Sequence, residues 1–194
     1  MRHPNRRMDS GGGPLTPEQR REVEEAAQRA RKFLAAARVA TFNGWTIGLF
    51  AALSLLFGFS SLRVLVLGVG MAVVAWNEFR GRRMLRDFDP AGLRLLGRNQ
   101  VGFMGVIILY CLWSMYAAAH GHGIDLGQIE DVIGPTEDLV RTLTLTVYGA
   151  VIAATILFQG LNARYYFARM RMLEAYLAET PPWIVDLQRA TRTE

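Results

Sequence analysis

The chain has 194 residues, of which 51% are hydrophobic and only 20% are charged, and its mean hydropathy is +0.15. Four stretches contain no Asp, Glu, Lys or Arg: 39–62, 64–77, 99–124 and 142–163. Apolar stretches of about 18 residues or more are typical of membrane-spanning helices. The remaining pieces are shorter than the roughly 50 residues of an independent soluble domain, which argues against an appended kinase, hydrolase or nucleotide-binding domain.

The charges are unevenly distributed along a basic chain with a formal net charge of +5. All but two of the 22 Lys and Arg residues precede the first span, lie between spans two and three, or follow span four. Only Arg63 and Arg141 fall on the opposite side. Because basic loops stay in the cytoplasm, we predict a multi-pass protein of the plasma (inner) membrane with both termini cytoplasmic. Anionic headgroups, rather than nucleic acid, are the expected partner.

The predicted fold is an all-α integral membrane protein with four transmembrane helices in two hairpins and with amphipathic cytoplasmic helices. We divide the chain into six segments: a disordered tail 1–14, a cytoplasmic amphipathic helix 15–40, a first transmembrane hairpin 41–79, a basic cytoplasmic loop 80–98, a second hairpin 99–163 with an outer loop 120–142, and a cytoplasmic helix and tail 164–194.

The amphipathic helix begins with a capping box, in which Thr16 precedes Pro17 and Gln19. Its apolar residues recur at steps of three and four and form one stripe: Val23, Ala26, Ala27, Ala30, Phe33, Leu34 and Ala37. This pattern favours a helix that lies on the inner membrane surface. A solvated extension of the first span and pairing with a second copy are the alternatives.

Two further segments are expected to be interfacial. Asp89 and Pro90 predict the start of a short helix in the loop 80–98. This helix carries three leucines that we expect to enter lipid: Leu93, Leu95 and Leu96. The helix after span four should stop at Thr180, and residues 183–185 should lie at the membrane interface.

Basic residues next to these segments are the candidate lipid contacts. We predict that they bind phosphate headgroups, because each Lys or Arg near an anionic leaflet is attracted to it. The candidates are Arg20, Arg21, Arg31, Lys32, Arg82, Arg83, Arg94, Arg98, Arg169 and Arg171.

Small residues spaced by four indicate helix packing, within the bundle or across a dimer, because lipid supplies no hydrophobic drive for helix association. These residues are Gly44, Gly48, Gly68, Ala72, Gly149 and Ala153. The alternative is that Gly and Ala are simply common in spans.

Polar residues end spans two and four: Asn77 and Glu78 in the former, Gln159 and Asn162 in the latter. A carboxylate among amides there is consistent with a polar mouth or an ion site. We favour a solvated Glu78 that pairs with Arg82 four residues later, a spacing suited to a helical ion pair.

No cofactor, catalytic residue or metal site is predicted. The nearest approach to a metal site is His120, His122 and Asp125, which lie in a glycine-containing loop and lack a third firm ligand. Cys111, the only cysteine, is expected to be a small buried apolar residue.

A weak internal repeat relates the two hairpins. At an offset of 88, five residues after the second span match five after the fourth: Phe79, Arg83, Met84, Leu85 and Phe88 match Phe167, Arg171, Met172, Leu173 and Tyr176. Gly44 and Gly102 are the expected counterparts at the start of each hairpin. The alternative is that cytoplasmic helix ends generally contain Arg and aromatic residues.

These patterns favour a non-enzymatic scaffold or assembly factor at the inner membrane surface, with lipid, a membrane protein or a second copy as partner. A small oligomeric channel or transporter is the alternative, disfavoured because no span has a charge near its middle. A membrane-embedded enzyme is the second alternative. The single Lys32 among many Arg residues suits a GC-rich bacterial genome.

Overall fold

The computed structural model describes residues 15–58, 61–120 and 137–191, in which every regular element is a helix. The helices in these ranges are α1 (Pro17–Phe57), α2 (Leu62–Arg86), α3 (Pro90–Ala119), α4 (Glu137–Glu179) and α5 (Pro182–Ala190). The first four are long and apolar enough to cross a membrane, which confirms the all-α fold class and four candidate spans. The predicted tail 1–14 and most of the predicted outer loop lie outside the described residues.

Two helices begin where the sequence predicts. The Gln19 amide donates to Thr16 Oγ1 at 3.2 Å, and the Thr16 amide donates back to Gln19 Oε1 at 2.9 Å. At α3, the Ala91 amide donates to the Asp89 carboxylate at 2.8 Å. Both predicted N-caps are therefore confirmed, since each satisfies backbone donors that a helix start leaves free.

The long helices pack in chain order: α1 against α2, α2 against α3, and α3 against α4. A Cβ on Gly44 would lie 3.0 Å from the Phe79 ring, and one on Gly48 would lie 3.7 Å from the Ala75 Cβ. The two helices therefore run in opposite directions, with residue numbers rising along α1 as they fall along α2. At one end of the molecule α1 also contacts α4. We call this the basic end: residues 15–40, 80–98 and 164–191.

A hydrophobic core fills the basic end. It is built from small and aromatic residues of α1, from the corner between α2 and α3, and from α4 and α5. Its buried members are Ala26, Ala30, Phe33, Ala36, Ala37, Ala40, Leu85, Phe88, Leu93, Leu96, Tyr166, Leu173, Tyr176, Ile184 and Val185. The stripe of α1 therefore packs against the chain's own helices, which differs from the favoured interpretation that it meets lipid.

Two other apolar segments are also buried rather than lipid-facing. Leu93 and Leu96 are inaccessible to solvent, and α3 continues unbroken to Ala119, so the expectations of a short separate helix and of lipid contact for these two leucines are wrong. The sequence placed residues 183–185 at the interface, but Ile184 and Val185 are buried in the core of the basic end, and only Trp183 of the three is exposed, at 39%.

The physical reason is a close backbone approach of α2 and α3. A Cβ on Gly92 would lie 2.9 Å from the Gly81 carbonyl oxygen, so only glycine fits there. The chain reverses through Phe88, whose φ of 57° is rare for a side chain of this size. Its ring is held between Phe33 and Tyr176, with centroids 5.8 Å from each. Burial of the ring thus offsets the backbone strain.

Candidate functional site

We call residues 41–58, 61–79, 99–120 and 137–163 the spanning part. A cluster of polar side chains lies where the basic end meets the spanning part, and each of the four long helices contributes to it. We call it the polar cluster. It consists of Asn43 from α1, Asn77 and Glu78 from α2, Asn99 and Gln100 from α3, and Tyr166 from α4.

Glu78 is the acceptor at the centre of the polar cluster. Its Oε1 accepts from Asn99 Nδ2 at 2.8 Å and from Gln100 Nε2 at 2.7 Å. Its Oε2 accepts from the Tyr166 hydroxyl at 3.3 Å. Asn99 Nδ2 also donates to the Val74 carbonyl at 2.9 Å. One carboxyl group thus joins α2, α3 and α4 through three neutral donors.

Two further contacts extend the cluster. Asn43 Nδ2 donates to the Tyr166 hydroxyl at 3.4 Å, which brings α1 into the network. Asn77 Nδ2 donates to Asn99 Oδ1 at 3.2 Å. Gln100 Oε1 is buried and has no hydrogen-bond partner within the described ranges, so one acceptor in the cluster is still available.

The favoured interpretation of Glu78, a solvated residue paired with Arg82, is wrong. Glu78 is 0% exposed, and no ion pair joins it to Arg82 in the described part of the chain. The reason is its helix face: Glu78 follows Ala75 by three residues and precedes Leu85 by seven, and both of these are buried. This spacing was available in the sequence. The donors were not, because they lie 21, 22 and 88 residues away.

A groove of about 950 Å³ lies between α1 and α2 and extends from the basic end to the start of the spanning part. We call it the arginine groove, after four of its lining residues. The lining relevant to its chemistry is Arg31, Arg38, Phe42, Trp45, Arg82 and Arg86. Arg31 and Arg82 were among the predicted headgroup contacts. Arg38 and Arg86 were not, because only the packing of α1 on α2 brings them to the same groove.

The other predicted headgroup contacts are distributed over the basic end. Arg21 pairs with Glu25 at 2.9 Å, and the Arg20 Nε donates to the Leu15 carbonyl at 3.3 Å. The guanidinium of Arg83 lies over the Trp76 ring. Arg169 is partly buried, with its guanidinium over the Tyr165 ring. The remaining members of the set are exposed: Lys32, Arg94, Arg98 and Arg171. Their contact with headgroups stays a prediction.

The predicted packing residues fall into two groups, those that face a neighbouring helix and those that do not. Gly44, Gly48 and Gly68 lie at the α1–α2 contact, where a Cβ would touch the facing helix. In span four, a Cβ on Gly149 would meet nothing within 4 Å, and Ala153 is exposed. Ala72, one turn after Gly68, is partly buried. Gly149 and Ala153 therefore do not face α3, the helix that packs against span four in the described part of the chain, and packing of these two residues across a dimer stays a prediction.

The histidine loop is only partly described. His120 Nδ1 lies 2.9 Å from the Tyr116 carbonyl oxygen, whereas His122 and Asp125 lie outside the described residues. Within the described ranges, no three His, Cys, Asp or Glu residues form a metal-binding group. Cys111 is buried, as predicted.

One contact between a phenylalanine and a glycine occurs in both halves of the internal repeat, but its glycine on α3 is five residues before the expected one. The Phe79 ring contacts Gly44, and the Phe167 ring, at the offset of 88, lies 2.8 Å from where a Cβ on Gly97 would be. Gly102, the expected counterpart, has nothing within 4 Å at that position. The contact therefore repeats with Gly97 in place of Gly102.

No protein family, no curated protein and no solved structure matches this chain. No relative therefore assigns a role to the polar cluster or to the arginine groove. What each can bind follows from its own side chains.

Proposed function

We propose that this protein is a non-enzymatic scaffold that holds a packed helical body against the inner face of a bacterial plasma membrane. In this proposal α1 with α2 and α3 with α4 form two transmembrane hairpins, and both termini are cytoplasmic. The basic end then faces the cytoplasm, where it binds anionic lipid and a membrane protein or a second copy. The distribution of Lys and Arg supports this orientation.

One observation carries the proposal: the buried stripe of α1 continues without interruption from the basic end into the spanning part. Its members alternate at steps of four and three, the spacing at which helices pack along their whole length. They are Ala26, Ala30, Phe33, Ala37, Ala40, Gly44, Ile47 and Ala51.

Helix length shows what this continuity provides. The 41 residues of α1 measure about 60 Å and the 43 residues of α4 about 65 Å at 1.5 Å per residue. The hydrocarbon core of a bilayer is about 30 Å thick. Roughly half of each helix therefore extends beyond it, and the core of the basic end fixes these extensions to each other. Such a rigid extension suits a protein that positions something at the membrane surface.

The orientation is tested with single cysteines in a Cys111→Ser background. Suitable sites are Ser10, Asp87, Gln128 and Ala190, of which Asp87 is an exposed residue at the α2–α3 corner. We expect only Gln128→Cys to react with a membrane-impermeant thiol reagent in intact cells. Reaction of Asp87→Cys from outside would overturn the orientation.

The scaffold role is tested by photocrosslinking in native membranes. A photoreactive amino acid replaces Gln28 on α1 or Ala175 on α4, both exposed at the basic end, and Leu157 in span four serves as the control. We expect discrete protein adducts from the first two sites. If the first two sites yield only lipid adducts, whatever Leu157 yields, the scaffold proposal fails.

A small oligomeric channel or transporter is the second candidate, and the buried Glu78 supports it. Buried carboxylates next to a span are often parts of ion pathways, and no Lys or Arg in the described ranges forms an ion pair with Glu78. The test is cation flux into liposomes that contain the purified chain. Flux abolished by Glu78→Gln would favour this candidate over the scaffold.

A further inference from the structure

The arginine groove is formed by one face of α1 and the end of α2. On α1 its residues follow at steps of seven, with Arg31, Arg38 and Trp45 two turns apart. The contacts of Gly44 with Phe79 and of Gly48 with Ala75 set the register of the two helices. In this register Arg82 lies opposite residue 41 and Arg86 opposite residue 37.

Three arginine residues consequently lie at one level of the groove. Arg38 on α1 lies within about one helical turn of the positions that face Arg82 and Arg86. Arg31 lies about 10 Å further from the spanning part, which is two turns of α1. Arginine is suited to such a site because its planar group binds phosphate oxygens in pairs.

Within the part of the chain that the structure describes, no carboxylate forms an ion pair with the arginines of the groove. In residues 15–58, 61–120 and 137–191, none of Arg31, Arg38, Arg82 and Arg86 forms an ion pair. Like charges at this spacing repel one another, so an anion that enters the groove relieves the repulsion. The groove therefore has the charge of an anion site whose ligand comes from outside the chain.

The apolar end of the groove indicates what the anion is attached to. Phe42 and Trp45 line it towards the spanning part, and each is 70% exposed. Tryptophan is enriched where a membrane meets water. A ligand that fills the whole groove thus has a phosphate at one end and an apolar chain at the other.

We propose that the arginine groove is a binding site for an anionic phospholipid. Its phosphate lies among Arg38, Arg82 and Arg86, and the start of an acyl chain lies along Phe42 and Trp45. Arg31 contacts the headgroup beyond the phosphate. This proposal rests on one part of the proposed function, namely that the basic end lies at a membrane leaflet. It does not depend on a protein partner.

The test is native mass spectrometry of the full chain in a mild detergent, titrated with phosphatidylglycerol or with zwitterionic phosphatidylcholine. We expect one tightly retained phosphatidylglycerol per chain and much weaker retention of phosphatidylcholine. The double variant Arg82→Gln/Arg86→Gln should weaken phosphatidylglycerol binding about thirtyfold, since each basic contact contributes about a factor of five at an anionic surface.

A matched control distinguishes binding at the arginine groove from a general attraction of anionic lipid to the positive charge of the basic end. Arg80→Gln/Arg164→Gln removes the same charge from two exposed arginines that also lie at the basic end but outside the groove. It should change the affinity less than threefold. Equal losses from both double variants would mean that lipid binds by overall charge, and the proposal of a discrete site would be wrong.

Two further measurements test whether the groove binds the phosphate of a lipid or free phosphate. They use the variant Trp45→Ala and competition by inorganic phosphate at constant ionic strength. We expect Trp45→Ala to weaken lipid binding severalfold and free phosphate in the low millimolar range not to displace the lipid. Unchanged binding by Trp45→Ala, with full displacement by phosphate, would identify a free-phosphate site and overturn the lipid proposal. If lipid binding is as expected but Gln28 and Ala175 give no protein photocrosslinks, the scaffold role is rejected and the proposal of a lipid site is unaffected.

Discussion

The basic end and the spanning part of α4 are both rich in apolar residues, yet they are covered very differently. At the basic end, five helices enclose one core in which Phe33, Leu85 and Leu173 are almost inaccessible. In the apolar window of α4, only 6% of residues are buried, against 22% in each of the other three spans. The large residues Leu157, Phe158 and Leu161 are all more than half exposed.

The difference shows which surface needs a partner from outside the chain. An exposed leucine or phenylalanine is unfavourable in water but neutral in lipid, because acyl chains are as apolar as the side chain. The basic end needs no such cover, since the chain buries its own stripe there. We therefore expect lipid or another membrane protein to cover the exposed surface of α4, whereas the basic end offers charge.

The largest effect is expected from truncating one phenylalanine in each region, which tests whether burial differs between the two regions as described. Phe33 is 1% exposed and Phe158 is 63% exposed. We expect Phe33→Ala to lower the free energy of unfolding by about 3–5 kcal/mol, the usual cost of emptying a core aromatic site. Phe158→Ala should change it by much less. Thermal unfolding of the detergent-solubilised chain measures both, and a similar loss for the two variants would contradict the comparison.

A second prediction concerns the polar cluster, at the boundary of the two regions. Glu78→Ala removes the acceptor of Gln100 and Tyr166 and leaves Asn99 Nδ2 with the Val74 carbonyl alone. One buried donor left unpaired costs about 1–3 kcal/mol. We expect a loss of about 2–3 kcal/mol, because the remaining amides rearrange. Glu78→Gln, which keeps one acceptor oxygen, should lose less. If Glu78→Ala is as stable as the wild type, the cluster does not hold the helices together.

The sequence was most informative where structure is local. The starts at Thr16 and Asp89 were predictable because each cap satisfies backbone donors two or three residues away. The position of Glu78 was not, because its donors come from helices distant in sequence. Nor was the burial of Leu93 predictable: it depends on glycines on two different helices meeting, and nothing in either segment alone indicates that contact.

The smallest expected effect concerns two glycines of α3, and it tests where the packed region ends. A Cβ on Gly97 would lie 2.8 Å from the Phe167 ring, whereas one on Gly102, five residues further along α3, would meet nothing within 4 Å. Alanine favours a helix over glycine by about 1 kcal/mol, and overpacking costs about 1–3 kcal/mol.

Because Gly102→Ala has only the helix-propensity term, we expect it to raise the free energy of unfolding by up to about 1 kcal/mol. Gly97→Ala combines both terms, and we expect a net loss of up to about 1 kcal/mol, since the tip of the Phe167 ring, which is 36% exposed, has to move. The same thermal measurement compares the two. A stabilising Gly97→Ala together with a destabilising Gly102→Ala would restore Gly102 as the counterpart of Gly44 and would move the boundary of the packed region further along α3.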